Sequence, residues 1–177
     1  MNQASAFGIW LTGLPASGKS TIVLALRSQL EALGLTVDVL ESDEVRRLLT
    51  PQATYSPEER DLFYRALAFT GQRLVAHGVT VVFDATASRQ AYRDLARSMI
   101  PRFIEVAVEC PIAVCMERDR KGTYEKGLRG GSSTVPGLQT PYESPANPDV
   151  RIDTTKVAAQ EAAQQISDIV RARLRQA

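Results

Sequence analysis

Gly13-Leu14-Pro15-Ala16-Ser17-Gly18-Lys19-Ser20 is the stretch that decides the fold. It satisfies the pattern GxxxxGK[ST] at every fixed position. Its flanks matter as much as the motif. Before it, Phe7 to Leu11 is a short apolar run that ends in Thr12-Gly13. After it, Ile22, Val23, Leu26, Leu30 and Leu33 recur on one helical face, and Gly34 closes the segment. Strand, glycine turn and helix in that order make a P-loop. Its backbone N–H groups turn inward toward phosphate oxygens, and the helix N-terminus adds positive partial charge. Gly13, Ala16, Ser17, Gly18, Lys19, Ser20 and Thr21 form the expected phosphate-binding set. Lys19 is expected to reach the terminal phosphates, and Ser20 to ligate Mg²⁺ through its hydroxyl. The motif predicts a nucleoside triphosphate site.

Outward from that turn, short apolar runs alternate with longer amphipathic segments. Runs at Thr36 to Leu40, Val79 to Phe83 and Phe103 to Val108, with a weaker one at Val150 to Ile152, read as buried strands because β-branched residues crowd them. Leu62, Phe63, Ala66, Leu67, Thr70, Leu74 and Val75 make a second helical stripe. Ser56-Pro57-Glu58-Glu59 precedes it: a cap, a first-position proline and two first-turn acids. Arg89 to Met99, Ile112 to Arg120 and Thr155 to Arg175 read as further helices. The alternation predicts one α/β domain over residues 1–177, with a mainly parallel five-stranded sheet between helical layers. Ligands of such sheets bind at the carboxyl ends of the strands.

Composition narrows the remaining classes. The chain has 177 residues, 44% of them hydrophobic, enough for one sizeable core. Its 21 basic and 20 acidic residues nearly cancel, so no global field recruits nucleic acid or an anionic membrane. No apolar run is long enough to span a bilayer, and Met1 to Trp10 lacks the basic start and long apolar stretch of a secretory leader. Cys110 and Cys115 lie too close together for a disulfide framework, and His77 is the only histidine, which argues against a zinc site. Two unpaired thiols fit a reducing compartment, so the expected location is cytoplasmic.

Residues 121–148 break the alternation. Little apolar periodicity is present, and prolines cluster between Pro136 and Pro148. The reading is a lid or a disordered insertion. Tyr124, Leu128, Leu138 and Tyr142, interspersed with Lys121, Lys126 and Arg129, favour a lid.

A P-loop alone does not separate GTPase, ATPase and kinase. No NKxD guanine-reading segment occurs, and the chain is short for a large ATPase. A small kinase with a closing lid fits the length. The second constellation is Glu41-Ser42-Asp43-Glu44-Val45-Arg46, just past the second strand. Asp43 there is either an acid that accepts an acceptor's proton or holds metal water, or a helix cap. Arg46, a turn on, is an anion ligand or a solvated side chain. Asp84 ends the third strand as a magnesium-side acid or a turn residue. Of Arg60 and Arg65, Arg60 lies nearer the site and is the better anion ligand.

With these residues in view, the chain from about Trp10 to Thr154 resembles adenylylsulfate kinases. The P-loop GLPASGKST, the ESDEVR segment where the family has DGDxxR, the YSPEER segment and the lid ERDRKGTYEKG…PGLQTPYESPANPDVRIDT carry the likeness. The resemblance implies transfer of phosphate from ATP with Mg²⁺ to the ribose 3′-hydroxyl of adenylylsulfate, a small nucleotide substrate. It implies Asp43 beside that hydroxyl and Arg46 and Arg60 on the phosphosulfate. It also implies Tyr55 against the acceptor adenine, Arg118 over the donor adenine and Lys121 near the phosphates. Family members are often dimers, so it allows a homodimer. Departures cluster on the acceptor side: Phe63 stands where the family has Asn, Val135 near its lid phenylalanine, and Asp84-Ala85-Thr86-Ala87-Ser88 at its Ser-Phe-Ile-Ser-Pro run. Phe63 is the candidate to replace the stacking lost at Val135. Two other readings stay open: a related kinase with another nucleotide or small phosphorylated acceptor, and a catalytically silent nucleotide sensor.

Overall fold

The computed structural model describes residues 6–176. The first five residues, part of the amino-terminal stretch read for a leader, and the last one lie outside it. Five strands form one parallel sheet: β1 (Gly8–Thr12), β2 (Val37–Glu41), β3 (Thr80–Asp84), β4 (Phe103–Glu109) and β5 (Val150–Asp153), in the order β2-β3-β1-β4-β5. Among the described residues seven helices accompany them: α1 (Lys19–Ala32), α2 (Ser42–Leu49), α3 (Pro57–Ala76), α4 (Gln90–Met99), α5 (Ile112–Glu117), α6 (Thr123–Leu128) and α7 (Ala159–Arg175). Among the described residues no helix is long and apolar enough to cross a membrane.

The period-2 alternation of the strands sorts the core into two layers. Phe7, Ile9 and Leu11 point to the face covered by α1 and α7, where Leu26, Leu30, Ile166 and Val170 meet them. Trp10 points to the opposite face, with Phe63, Tyr64 and Leu67 of α3 and Tyr92 and Ala96 of α4. Its ring stacks on Phe83 at 4.5 Å between centroids. Helix α3 begins as its sequence dictates. The Ser56 hydroxyl accepts from the Glu59 N–H at 3.2 Å, and Pro57 occupies the first turn.

Two segments depart from the sequence reading. Glu41-Ser42-Asp43 leads straight from strand into helix α2, so Asp43 is a first-turn residue and not the cap. Residues 121–148 are not structureless. They hold helix α6 and a turn closed by Pro136 and Thr140. Tyr124 and Val135 are buried there with Cys115, against Leu14, Ala16 and Ile112. The lid thus has its own small core, seated on the P-loop.

Candidate active site

The P-loop joins β1 to α1 at the carboxyl end of the central strand. Two backbone conformations define it. Gly18 has φ +100° and Ala16 φ 58°, both left-handed, and the first is a conformation that side chains rarely adopt. A Cβ on Gly13 would stand 2.4 Å from the Val108 carbonyl oxygen, so only glycine fits. Lys19 folds back over the loop, and its ammonium donates to the carbonyls of Gly13 at 3.0 Å and Leu14 at 2.9 Å. Burial pushes its pKa below the usual lysine range, while the carboxylates of Asp84 and then Asp43 oppose that shift. Ser17 Oγ is buried without a partner, and Ser20 is exposed at the helix start. The Thr21 side chain turns away, onto an outer groove of α1 with Leu24 and Ser28.

Arg118 lies beside this loop. Its guanidinium donates to Thr154 Oγ1 at 3.1 Å and to the Thr154 carbonyl at 3.2 Å. Thr154 in turn donates to the Ser17 carbonyl at 2.9 Å. Sequence reasoning missed Thr154, which ties the far edge of the sheet to the P-loop; the closing Asp-Thr of the lid segment was its signal.

The other half of the site sits past β2 and β3. Arg46 is only 7% exposed and lies flat on Phe63, 3.7 Å from the ring centroid, with Tyr55 on another side at 4.9 Å. One nitrogen donates to Glu59 at 3.3 Å, while Nη2 is buried with no partner. Glu59 was also missed. Its carboxylate accepts from Arg46, from the N–H and hydroxyl of Thr54, and from the N–H of Tyr55. Those bonds, the Thr54 backbone contact first, hold its pKa below the usual range. They also brace Tyr55 at φ 55°, a strained conformation for a tyrosine. Its half-exposed ring lies close to both Arg46 and Arg60, the latter's guanidinium carbon 5.3 Å from the centroid. Arg60 spans to the lid, donating to the Thr134 carbonyl at 2.8 Å. Arg65 points to solvent.

One expectation is corrected. Phe63 is 1% exposed and belongs to the core beneath Arg46, so it supports the guanidinium and offers no open stacking face. Lys121 lies near the P-loop, close enough to Lys19 for its charge to lower that lysine's pKa. It pairs with Asp43 Oδ2 at 2.7 Å and reaches Glu41 at 3.4 Å. The hydrogen bond to Asp43 raises its pKa above the ordinary lysine value. Asp84 is buried at the end of β3, in register with Glu41. The loop after it runs through Ala87, which has φ 42°.

Both halves open at the carboxyl ends of the strands, and the acids Asp43 and Asp84 face the same lysine. The arrangement brings a phosphate cradle and a cation-rich aromatic pocket together under one lid.

The family model described as Adenylylsulphate kinase matches residues 5–153. A probable adenylyl-sulfate kinase of Archaeoglobus fulgidus is 40% identical over 151 residues, 85% of this chain and 97% of that protein. A probable adenylyl-sulfate kinase of Synechocystis is 41% identical over 152 residues, 86% of each. Among solved structures, the APS kinase CysC of Mycobacterium tuberculosis in complex with AMPPNP and APS superposes with a TM-score of 0.88. It is 30% identical, with 94% of this chain and 98% of that one covered. The phosphate cradle, the lid and these likenesses agree: the chain belongs to the adenylylsulphate kinase family.

Proposed function

We propose that this protein transfers the γ-phosphoryl group of ATP to the ribose 3′-hydroxyl of adenylylsulfate, giving 3′-phosphoadenylylsulfate and ADP. The observation that carries the acceptor assignment is Arg46. Its guanidinium is buried, stacked on Phe63, and half spent on Glu59, with Nη2 left unpartnered. A buried cationic donor without a partner is costly unless an anion completes it. A phosphosulfate supplies that charge, Arg60 stands close to Tyr55 as a second guanidinium, and the Tyr55 ring offers adenine a flat surface.

On the donor side, P-loop amides and Lys19 hold the phosphates, and Arg118 lies where the donor base leaves the cleft. Asp43 is the carboxylate that accepts the 3′-hydroxyl proton once Lys121 releases it. Ser20 and Asp84 would hold Mg²⁺. A hydroxyl and one hard carboxylate suit an ion that keeps waters and completes its shell with phosphate oxygens. Among the described residues no cluster of three metal-ligating side chains exists, which fits that mode better than an all-protein cage. Bound there, the ion neutralises charge on the transferring phosphoryl. The free thiols of Cys110 and Cys115 suit a cytoplasmic setting, and a homodimer is the assembly to look for.

The test is a product assay with MgATP and a panel of acceptors. Adenylylsulfate turned over in preference to other nucleotides and small phosphorylated alcohols supports the proposal. Turnover of another acceptor alone assigns the altered residues at Phe63, Asp84 to Ser88 and Val135 to a change of substrate.

A further inference from the structure

The loop from Ala85 to Ser88 is one of the stretches that depart from the family pattern, and it is held by hydrogen bonds along its whole length. Trp10 Nε1 donates to the Ala85 carbonyl at 3.0 Å. Thr12 Oγ1 donates to that of Thr86 at 2.5 Å. The Ala87 N–H donates to Tyr64 Oη at 3.1 Å. The Glu143 N–H donates to the Ser88 carbonyl at 2.8 Å. The Ala87 carbonyl accepts from Arg93 Nη1.

Arg93, on α4, is fully buried and spends every branch of its guanidinium. Nε donates to Glu105 at 2.7 Å, and Nη2 to Gln90 Oε1 and to the Glu143 carbonyl, both at 2.6 Å. Glu143 belongs to the carboxyl-terminal root of the lid. It closes the contact from its own side, accepting from the Gln90 N–H at 2.6 Å. Beside it, Tyr142 Oη lies 3.1 Å from Thr12 Oγ1, the hydroxyl already on Thr86.

We infer that Arg93 is a positioning residue that fastens the lid root at Tyr142–Glu143 to the acceptor-side loop Ala85–Ser88, so that hinge and acceptor wall move as one rigid unit. The placement of the acceptor beside this loop rests on the proposed function; the fastening does not. The guanidinium fork is essential to it. Lysine keeps the charge opposite Glu105 but cannot direct donors at Ala87, Gln90 and Glu143 together. Complete loss of the charge would instead leave Glu105 buried beside a single remaining cation, Arg97, 39% exposed at its side chain.

The experiment therefore uses Arg93→Lys, with Glu143→Ala as a second variant that removes an exposed carboxylate and leaves the buried Arg93–Glu105 pair intact. Amide hydrogen exchange is read in the ligand-free protein. KM is read for ATP and for whichever acceptor the unaltered protein turns over. The expected result is faster exchange at residues 86–88 and 142–144 in Arg93→Lys, with the P-loop unchanged, and a clearly smaller change in Glu143→Ala, which loses only the bond from the Gln90 N–H. Arg93→Lys should raise acceptor KM by about tenfold, as loss of a charge-assisted bond predicts, and leave the ATP KM within about twofold. Unchanged exchange at both segments in Arg93→Lys overturns the inference, and so does exchange raised as much in Glu143→Ala as in Arg93→Lys, because Glu143→Ala keeps the backbone carbonyl that Arg93 holds. An equal rise in both KM values also overturns it, because that marks general loosening. Exchange needs no substrate, so it stands or falls independently of the acceptor's identity.

Discussion

The donor half of the cleft is built from backbone and the acceptor half from side chains. Around the phosphates the working groups are amides and carbonyls, shaped by Gly13, Ala16 and Gly18, with Lys19 lying along them. Around Tyr55 the working groups are three long side chains: Arg46 and Glu59 aim each other, and Arg60 is held by the carbonyls of Tyr55 and Thr134. The difference teaches where specificity can change. A backbone cradle recognises any triphosphate and tolerates few sequences. A side-chain pocket is re-aimed by one substitution.

Substitutions in the two halves should therefore fail differently. The largest effect is expected at Lys19. Lys19→Ala should lower kcat about a thousandfold, the scale of losing a group that stabilises developing charge, with the fold kept. Single-turnover assays check it, and near-normal turnover would remove the P-loop from the chemistry. Asp43→Asn comes next. It should cost about a hundredfold or more in kcat with ATP binding nearly unchanged, since an amide cannot take the proton. Equal loss of ATP affinity would place Asp43 in the donor half. Arg60→Ala should raise acceptor KM about tenfold and spare the KM for ATP, sharpening the division between the halves. The smallest effect belongs to Lys121. Its pair with Asp43 is exposed on both sides, at 66% and 61% of the side chains. Such pairs contribute at most about 1 kcal/mol, so Lys121→Ala should speed proteolytic nicking of residues 121–148 in the free protein no more than about fivefold. A larger change would mean that this contact, and not the lid's own core, keeps the lid down.

The same contrast explains what was legible in the sequence. The P-loop is a local signal: spacing, glycines and flanks within a short stretch decide its geometry. The strands and α3 were legible for the same reason, through period and cap. Helix α2 was not, because Leu48 and Leu49 are exposed and only Val45 packs on the neighbouring core. Phe63 was read as a binding surface because an aromatic residue on a helix face serves a pocket or a core equally well. Only the packing of α3 under Arg46 decides between them. Lys121 and Asp43 are 78 residues apart, Arg60 and Thr134 are 74 apart, and Arg93 and Glu143 are 50 apart. Such pairings follow from topology, and no window of sequence contains them. The lid's small core was hidden too, since Tyr124, Val135 and Leu138 keep no regular period.

Trp10 has a practical consequence. It is the single tryptophan of the chain, buried in the aromatic layer, and its indole N–H is bonded to the first carbonyl of the acceptor-side loop. Indole fluorescence therefore comes from one fluorophore whose polar atom touches that loop. Emission, free of background from other tryptophans, becomes a label-free optical readout of whether Ala85 stays in place while the cleft fills and empties.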